Sequence, residues 1–337
     1  MDLMILSRDD VKHVLKMQDV IEGVSDVYRL KTEGQTAVWP YIAHHFEQPK
    51  GVMDIKSGYV RGKKVHGLKM LNNFPGNIEK HLPHFNGLLM VFDSETGLPQ
   101  GVLDATYITC MRTGAAGALG AKLLANEKAD TLLMVGAGTQ ALYLIAASLH
   151  LMPHIKKITI ADPMLRENAE RMVATLPQKL KDEFSLDAKN ILFIVADLNE
   201  ESVRNSQIIL TATPSRTPLI KKEWVQPGTH FSCIGADMEG KEEIDPNIFS
   251  GAIIYADDIN QCINAGEMEI PVKTGIINKT DIAGEIGEVI EGTKPGRKND
   301  RDITIFDATG LALLDLVVGK SVIQLAHQHK IGKIADI

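Results

Sequence analysis

The chain has 337 residues, of which 44% are hydrophobic and 23% charged, and its formal net charge at pH 7 is −7. This composition is typical of a globular protein of about two domains, and a net negative charge without a basic block excludes nucleic acid as the expected partner. Cys110, Cys233 and Cys262 are too widely spaced for a disulfide framework or a C-x-x-C motif. No signal peptide or membrane-length apolar run is evident, so we expect a cytoplasmic protein with no membrane partner.

The N-terminal third predicts a helix followed by short strands. The first residues run directly into a helix that starts at the capping-box-like pair Ser7 and Asp10 and stops at Gly34. Short strands broken by glycines follow, and a tight turn is predicted at 93–97. Because no helix separates these strands, we expect an antiparallel sheet. The predicted strands are 38–46, 52–59, 65–71 and 87–92.

The rest of the chain predicts strands that alternate with helices. A helix rich in alanine and glycine, 113–125, leads to an apolar strand that ends at Gly136. Alternating strands and helices are typical of a parallel sheet with helices on its faces. A final helix is predicted at 311–329. The further predicted strands are 158–161, 191–195, 208–213, 230–234, 253–256 and 303–307, with a helix near 165–175.

The segment from Gly136 to Ala141 has the glycine pattern of a dinucleotide-binding turn. Gly136 permits the tight turn, Gly138 lets the backbone approach a pyrophosphate, and Ala141 still allows close packing of helix on strand. The N–H groups at the helix start would then face the phosphates. The alternative is a tight turn that holds no ligand. The strand before the turn and the acidic residue after the next strand favour the dinucleotide.

Asp162 follows the second predicted strand, where an acidic residue holds the adenine ribose hydroxyls. Pro163 offers no positive charge to a 2′-phosphate, and we expect Arg166, one helical turn further on, to point to solvent. The sequence therefore predicts NAD rather than NADP as the cofactor.

Six segments, in this order, resemble the ornithine cyclodeaminase/mu-crystallin family. The resemblance implies an α/β fold in which a Rossmann NAD-binding domain, 119–309, is inserted into an α+β substrate-binding and dimerisation domain made of 1–118 and 310–337. It spans nearly the whole chain and is specific for the family rather than for one reaction. The matching segments are 67–77, 92–97 with 109–116, 136–140, 209–213, 235–243 and 306–315.

The resemblance assigns catalytic roles to Lys69, Arg112 and Asp237. Lys69 and Arg112 would clamp the substrate carboxylate, the arginine through its planar fork and the lysine as a point charge. Asp237 would take a proton from the substrate ammonium or return one to an imine. Each residue also has an alternative without a catalytic role. Lys69 would be a solvated lysine on a strand, Arg112 a surface arginine at a helix start, and Asp237 part of an Asx turn.

The resemblance also places a set of residues near the cofactor. The threonines among them have a structural alternative, since threonines at strand ends often cap backbone groups. The set is Thr113, Gly136, Ala137, Gly138, Thr139, Gln140, Asp162, Thr211, Thr213, Lys241 and Thr309.

The sequence departs from the cyclodeaminase pattern where the substrate is selected. Segment 39–46 lacks the arginine that ornithine-acting members present there, which leaves Tyr41 or His45 to occupy its place. Lys56 stands near a position that often carries a carboxyl group, and His84 replaces a small hydroxyl residue. We therefore expect Tyr41, His45 and His84 to line the substrate pocket. The histidines are not spaced like metal ligands that are supported by carboxylates, so we expect no metal site.

These observations predict an NAD-dependent oxidoreductase that acts on the C–N bond of a small amino or imino acid, as an amino acid dehydrogenase or an imine reductase. One alternative is a cyclodeaminase, which uses tightly bound NAD catalytically and releases ammonia. Another is a non-enzymatic crystallin-like binding protein, against which the complete set of Lys69, Arg112 and Asp237 argues. The open edges of the N-terminal sheet, together with the resemblance, predict a homodimer.

Overall fold

The computed structural model describes residues 2–337. The chain divides into two compact units: unit 1 contains Met1–Arg112 and Leu311–Ile337, and unit 2 contains Thr113–Gly310. The boundaries expected from the sequence, after 118 and after 309, lie close to these, and the first of them falls inside a helix.

The helices are α1 (Arg8–Val14), α2 (Met17–Thr32), α3 (Ala105–Leu124), α4 (Thr139–Leu151), α5 (Arg166–Phe184), α6 (Glu200–Arg204), α7 (Ile259–Ala265), α8 (Glu269–Lys273), α9 (Ile286–Ile290) and α10 (Ala312–His329). The strands of unit 1 are β1 (Asp2–Leu6), β2 (Thr36–Val38), β3 (Ile42–Phe46), β4 (Gly51–Val60), β5 (Val65–Asn73), β6 (Phe85–Asp93), β7 (Pro99–Asp104) and β18 (Lys333–Asp336). Those of unit 2 are β8 (Thr131–Val135), β9 (Lys157–Ala161), β10 (Leu192–Val195), β11 (Ile208–Thr211), β12 (Arg216–Ile220), β13 (His230–Cys233), β14 (Glu242–Ile244), β15 (Ile253–Ala256), β16 (Ile282–Glu285) and β17 (Thr304–Asp307).

Unit 1 is built on a sheet in the order β18-β1-β7-β6-β5-β4-β2, with β3 also paired to β4. Its pairs are antiparallel except for β1 and β7, which run parallel. Helix α10 packs closely on one face, where a Cβ on Gly319 would lie 2.4 Å from Leu89 and one on Gly67 would lie 2.8 Å from Leu316. The face of β5 and β6 that carries Leu89 is therefore the core face of unit 1.

Three predicted elements of unit 1 need correction. The chain does not run directly into a helix, because residues 2–6 form β1 before the Ser7 capping box starts α1. The strand predicted at 38–46 is two strands, since Pro40 lies between them and has no N–H to give to a sheet. Helix α3 begins at Ala105 rather than 113, because the Asp104 carboxylate accepts the N–H of Tyr107 at 3.1 Å and caps it.

Unit 2 has the predicted Rossmann-type architecture. Its main sheet has the order β10-β9-β8-β11-β13-β17-β15-β16, and every pair in it is parallel. Because β8 lies between β9 and β11, the connections from β8 and β11 leave in opposite directions, and a crevice forms at their carboxyl ends. Helix α5 extends beyond its predicted end at 175 and continues through Pro177, as burial of Leu176, Leu180 and Phe184 favours its last turns.

Candidate functional site

The glycine turn of unit 2 directly follows β8 and is shaped by close backbone packing. Gly136 has φ +95°, and a Cβ there would lie 2.8 Å from the carbonyl oxygen of Ala212. Gly138 is the N-cap of α4 and no side chain caps that helix, while a Cβ on Gly138 would meet nothing within 4 Å. The helix start is thus an open cradle of the kind that binds phosphates. These residues fit the diphosphate of a dinucleotide.

Asp162 follows β9 and holds the glycine turn in place. Its carboxylate accepts the N–H of Ala137 at 3.0 Å, and those of Met164 at 3.0 Å and Leu165 at 2.9 Å. Partial burial alone would raise the pKa of Asp162, but the hydrogen bonds outweigh it and lower that pKa. The carboxylate is therefore already oriented by the backbone at the position where the sequence predicts a ribose contact.

Arg166, the residue that could favour a 2′-phosphate, is engaged elsewhere. Its guanidinium lies 2.5 Å from Asp197 and 3.2 Å from Glu170, and all three side chains are exposed. Two acidic partners compete with any phosphate for this arginine, which supports the expectation that it points to solvent.

Asp237 and Lys241 lie together in the loop after β13. Asp237 stands in this loop beyond the last residue of the strand, Cys233. Lys241 Nζ lies 2.5 Å from Asp237 Oδ1 and also donates to the carbonyl oxygen of Gly235 at 3.1 Å. With 45% of its side chain exposed, Asp237 is accessible, and Lys241 orients its carboxylate.

Four of the five threonines expected near the cofactor are buried in unit 2, and Thr139 is exposed. The hydroxyl of Thr211, at the end of β11, donates to the carboxylate of Glu243 at 2.6 Å, so its partner is a side chain and not the backbone group of the structural alternative. Thr213 follows in the next loop, and Thr309 lies in the loop after β17, where Asp257 accepts its N–H at 3.3 Å. Thr113 is a buried residue of α3, and Thr139 and Gln140 begin α4.

Lys69, Arg112 and Asp315 form a buried cluster in unit 1, contributed by β5, α3 and α10. Lys69 Nζ lies 2.9 Å from Asp315 Oδ2, and Arg112 Nε lies 3.2 Å from Asp315 Oδ1. Thr109 donates its hydroxyl to the same Oδ1 at 3.2 Å. Lys69 is 1% exposed, Arg112 6% and Asp315 0%. The alternative interpretations of Lys69 as a solvated lysine and of Arg112 as a surface arginine at a helix start are therefore both wrong. Arg112 lies well inside α3.

The charges of this cluster shift one another's proton affinities. Burial, followed by the positive charge of Arg112, lowers the pKa of Lys69 to about 8, while Asp315 acts in the opposite direction. Burial would raise the pKa of Asp315, but its attraction to Arg112 and Lys69 prevails and lowers that pKa. The cluster thus holds two basic groups against one carboxylate.

Sequence reasoning missed the role of Asp315. The signal was present, because Asp315 is surrounded on the chain by Leu313, Leu314, Leu316 and Val317, all buried. A charge in a helix that is apolar on every side needs a buried partner. The sequence did not indicate which residues that partner would be.

Most of the residues expected around the substrate, namely Tyr41, His45 and Lys56, lie on or next to β3 and β4. Lys56 faces Lys69 across the β4–β5 pair, so both share one face of the sheet, and by alternation His45, opposite Val52, shares it too. Lys56 Nζ lies 5.8 Å from the centre of the Tyr41 ring. His84 is exposed in the loop before β6 and makes no hydrogen bond to Lys69 or Arg112 within the described residues.

Within residues 2–337, no group of three or more His, Cys, Asp or Glu side chains is arranged to hold a metal ion. Among the helices of that part of the chain, none is both long and apolar enough to cross a membrane.

Comparison with known proteins gives matches over the whole chain. The model of the ornithine cyclodeaminase/mu-crystallin family matches residues 1–330. An alanine dehydrogenase of Archaeoglobus fulgidus is 36% identical over 332 residues, which cover 98% of each chain. An archaeal alanine dehydrogenase dimer with bound NAD superposes with a TM-score of 0.90 at 35% identity over 100% of both chains. The Δ1-pyrroline-2-carboxylate reductase of Thermococcus litoralis, in complex with NADH and L-proline, has a TM-score of 0.89 at 28% identity and covers 98% of this chain and 99% of its own.

Proposed function

This chain belongs to the ornithine cyclodeaminase/mu-crystallin family, and we propose from that premise that it is an NAD-dependent oxidoreductase acting on the C–N bond of a small amino or imino acid. The observation that carries the proposal is the buried cluster of Lys69, Arg112 and Asp315. Alanine dehydrogenase and pyrroline-2-carboxylate reductase relatives share this reaction class.

The cluster is suited to a substrate carboxylate. Two cations face one aspartate, so one positive charge is left over for an anionic ligand in a site of low dielectric constant. Arg112 gives its Nε–H to Asp315, and the terminal nitrogens of a guanidinium can bind a carboxylate in bidentate fashion. Tyr41, Lys56 and His45 would then contact the rest of the substrate from the same side of the sheet.

The glycine turn would hold the diphosphate of NAD, and Asp162 would accept hydrogen bonds from the adenine ribose hydroxyls. When bound, NAD supplies the acceptor or donor of the hydride that is exchanged with the substrate carbon. A 2′-phosphate would meet the negative charge of Asp162, so NAD is preferred over NADP. In the Asp237 loop, the carboxylate held by Lys241 would move the proton that accompanies oxidation or reduction at nitrogen.

The test is a screen that follows NADH absorbance and ammonia in the same reaction. Amino acids would be offered with NAD⁺, and cyclic imines or 2-oxo acids with ammonia or amines would be offered with NADH. We expect a net change in NADH with at least one substrate pair. Ammonia release from ornithine without a net change in NADH would instead identify a cyclodeaminase, and NAD binding without turnover of any substrate would identify a binding protein.

We also propose that the chain forms a homodimer through the face of the unit 1 sheet opposite to Lys69. The register places Ile42, Ile55, Met70 and Leu88 in one row across β3, β4, β5 and β6. Ile42 is 53% exposed and Leu88 is 54% exposed, and contiguous exposed apolar side chains mark interaction surfaces. A second copy would cover this row. Light scattering should give the dimer mass for the parent and the monomer mass for Leu88→Lys; a monomeric parent at micromolar concentration would contradict the proposal.

None of the three buried cysteines, Cys110, Cys233 and Cys262, is joined in a disulfide. Thiols that are not joined in disulfides favour our proposal of a reducing compartment, the cytoplasm.

A further inference from the structure

One buried carboxylate in unit 2 connects two loops that the proposed function depends on. Glu243 lies on β14 and is 0% exposed. Its Oε1 accepts the N–H of Thr213 at 2.6 Å, and its Oε2 accepts the hydroxyl of Thr211 at 2.6 Å and the N–H of Gly235 at 2.9 Å. Since β11 and β13 are neighbours in the sheet, this one side chain joins the loops that follow them.

The two loops are packed so closely around Glu243 that their positions depend on it. A Cβ on Gly235 would lie 2.5 Å from Glu243 Oε1 and 2.4 Å from the carbonyl oxygen of Thr213. Even one methyl group would therefore push the loop after β13 away from the carboxylate. Glycine at 235 and glutamate at 243 fit each other as a pair.

Each loop leads on to a part of the proposed site. On one side, a Cβ on Gly136 would lie 2.8 Å from the carbonyl oxygen of Ala212 and 2.9 Å from Thr213 Cγ2, so the 211–213 loop is the surface against which the glycine turn rests. On the other side, Lys241 donates to the carbonyl oxygen of Gly235 and pairs with Asp237. Thr213 thus links Glu243 to the cofactor cradle, and Gly235 links it to the pair of Lys241 and Asp237.

The chemistry of the site requires an acceptor with two oxygens. All three groups that face Glu243 are donors, and a carboxylate only accepts, whereas the amide of glutamine would turn an NH₂ group towards one of them. Burial raises the pKa of Glu243, and the hydrogen bonds act against that rise. Glu267 holds the backbone of Glu243 in place, since its Oε1 accepts the N–H of Glu243 and that of Ile244, both at 2.7 Å.

We infer that Glu243 is a positioning residue, which sets the glycine turn and the Asp237 loop relative to one another within unit 2. It contacts neither the glycine turn nor the Asp237 side chain directly, and it acts on them through Thr213 and Gly235. This inference rests on the proposed function for the roles of the two loops. It predicts that a change at Glu243 alters cofactor affinity and turnover together, which a contribution to stability alone would not do.

The test compares Glu243→Gln with Glu242→Gln, which changes the adjacent buried carboxylate that makes none of the three hydrogen bonds. We expect Glu243→Gln to weaken NADH binding by about tenfold or more, as the loss of a buried hydrogen-bond partner does, and to lower kcat as well. Amide exchange at Thr213 and Gly235 should become faster. Glu242→Gln should retain the parent values. The inference is overturned if Glu243→Gln keeps affinity, kcat and amide exchange within about twofold of the parent, or if Glu242→Gln shows equal losses.

If Glu243→Gln does not fold, Thr211→Val replaces it in the test, because it removes one of the three donors with a side chain of similar shape. Faster exchange at Thr213 and Gly235 with weaker NADH binding would support the inference, and unchanged exchange and binding would overturn it. Both readouts are independent of turnover. A parent that binds NADH without converting any substrate would therefore refute the proposed reaction and leave the test of Glu243 intact.

Discussion

In unit 1 the buried Asp315 faces two cations, whereas in unit 2 the buried Glu243 and Glu267 face hydroxyl and backbone N–H donors and each other. The consequences for proton affinity are opposite, as the pKa of Asp315 is lowered and those of Glu243 and Glu267 are raised. The first arrangement leaves one positive charge without a counter-charge, as the proposed carboxylate clamp requires. The second holds loops in place without attracting an anion.

The largest expected effect comes from removing the anion of unit 1. Asp315→Asn leaves Lys69 and Arg112 buried without a counter-charge, and breaking a buried ion pair costs about 3–5 kcal/mol of the free energy of unfolding. Urea unfolding measures this loss. Thr109→Val is the matched control, because it removes only a hydroxyl bound to the same carboxylate and should cost about 1 kcal/mol. Equal losses in the two variants would mean that the charges of the cluster are not the reason for its stability.

Removing either cation should also act on the substrate. Lys69→Ala and Arg112→Ala each take away one partner of a desolvated carboxylate, which should reduce kcat/KM by the equivalent of about 2–5 kcal/mol. NAD binding should remain nearly intact, because both residues belong to unit 1 and the glycine turn belongs to unit 2. Steady-state kinetics and NADH titration separate the two effects. A near-normal kcat/KM in either variant would refute the carboxylate clamp.

The raised pKa values of buried carboxyl groups in unit 2 predict a pH dependence of stability. Burial raises the pKa of Asp307 to about 8, above its value of about 3.9 in an unfolded chain. Between these values the folded chain binds a proton that the unfolded chain has released, so stability falls as pH rises from about 4 to about 8. Thermal unfolding of Asp307→Asn across this range should show a weaker decline than the parent. The exposed Asp19→Asn should keep the parent's profile, and an unchanged decline in Asp307→Asn would contradict the assignment.

Asp162 resembles the carboxylates of unit 2 described above in that N–H donors hold it, but it is only half-buried. If its charge repels a 2′-phosphate, Asp162→Ala should reduce the preference for NADH over NADPH by about tenfold. Titration with both cofactors measures the preference. Equal affinities in the parent, or an unchanged preference in the variant, would show that Asp162 does not select the cofactor.

The sequence was sufficient to predict the features of the fold that depend on residues close together in the chain. The glycine turn, the Ser7 capping box and the alternation of strands and helices in unit 2 each depend on neighbouring residues, and these predictions of the fold are confirmed. The start of α3 was missed because its first turns, from Ala105, contain β-branched and aromatic residues of modest helix propensity.

The candidate site was less predictable because its contacts are distant along the chain. Lys69 and Asp315 are 246 residues apart, and Glu243 reaches Thr213 across 30. A single sequence can indicate that a charged residue is buried, but only the folded structure shows which residues pair with it. The resemblance supplied Lys69, Arg112 and Asp237, and their roles remain predictions.

The most direct test of the proposed reaction is a mass balance in one vessel. NADH would be mixed with ammonia and a 2-oxo acid such as pyruvate, or with a cyclic imine, and the cofactor, ammonia and amino acid would be quantified together. We expect one amino acid formed for each NADH consumed, with one ammonia taken up when the 2-oxo acid is the substrate. Amino acid or ammonia that changes while the amount of NADH stays constant would contradict a net oxidoreductase.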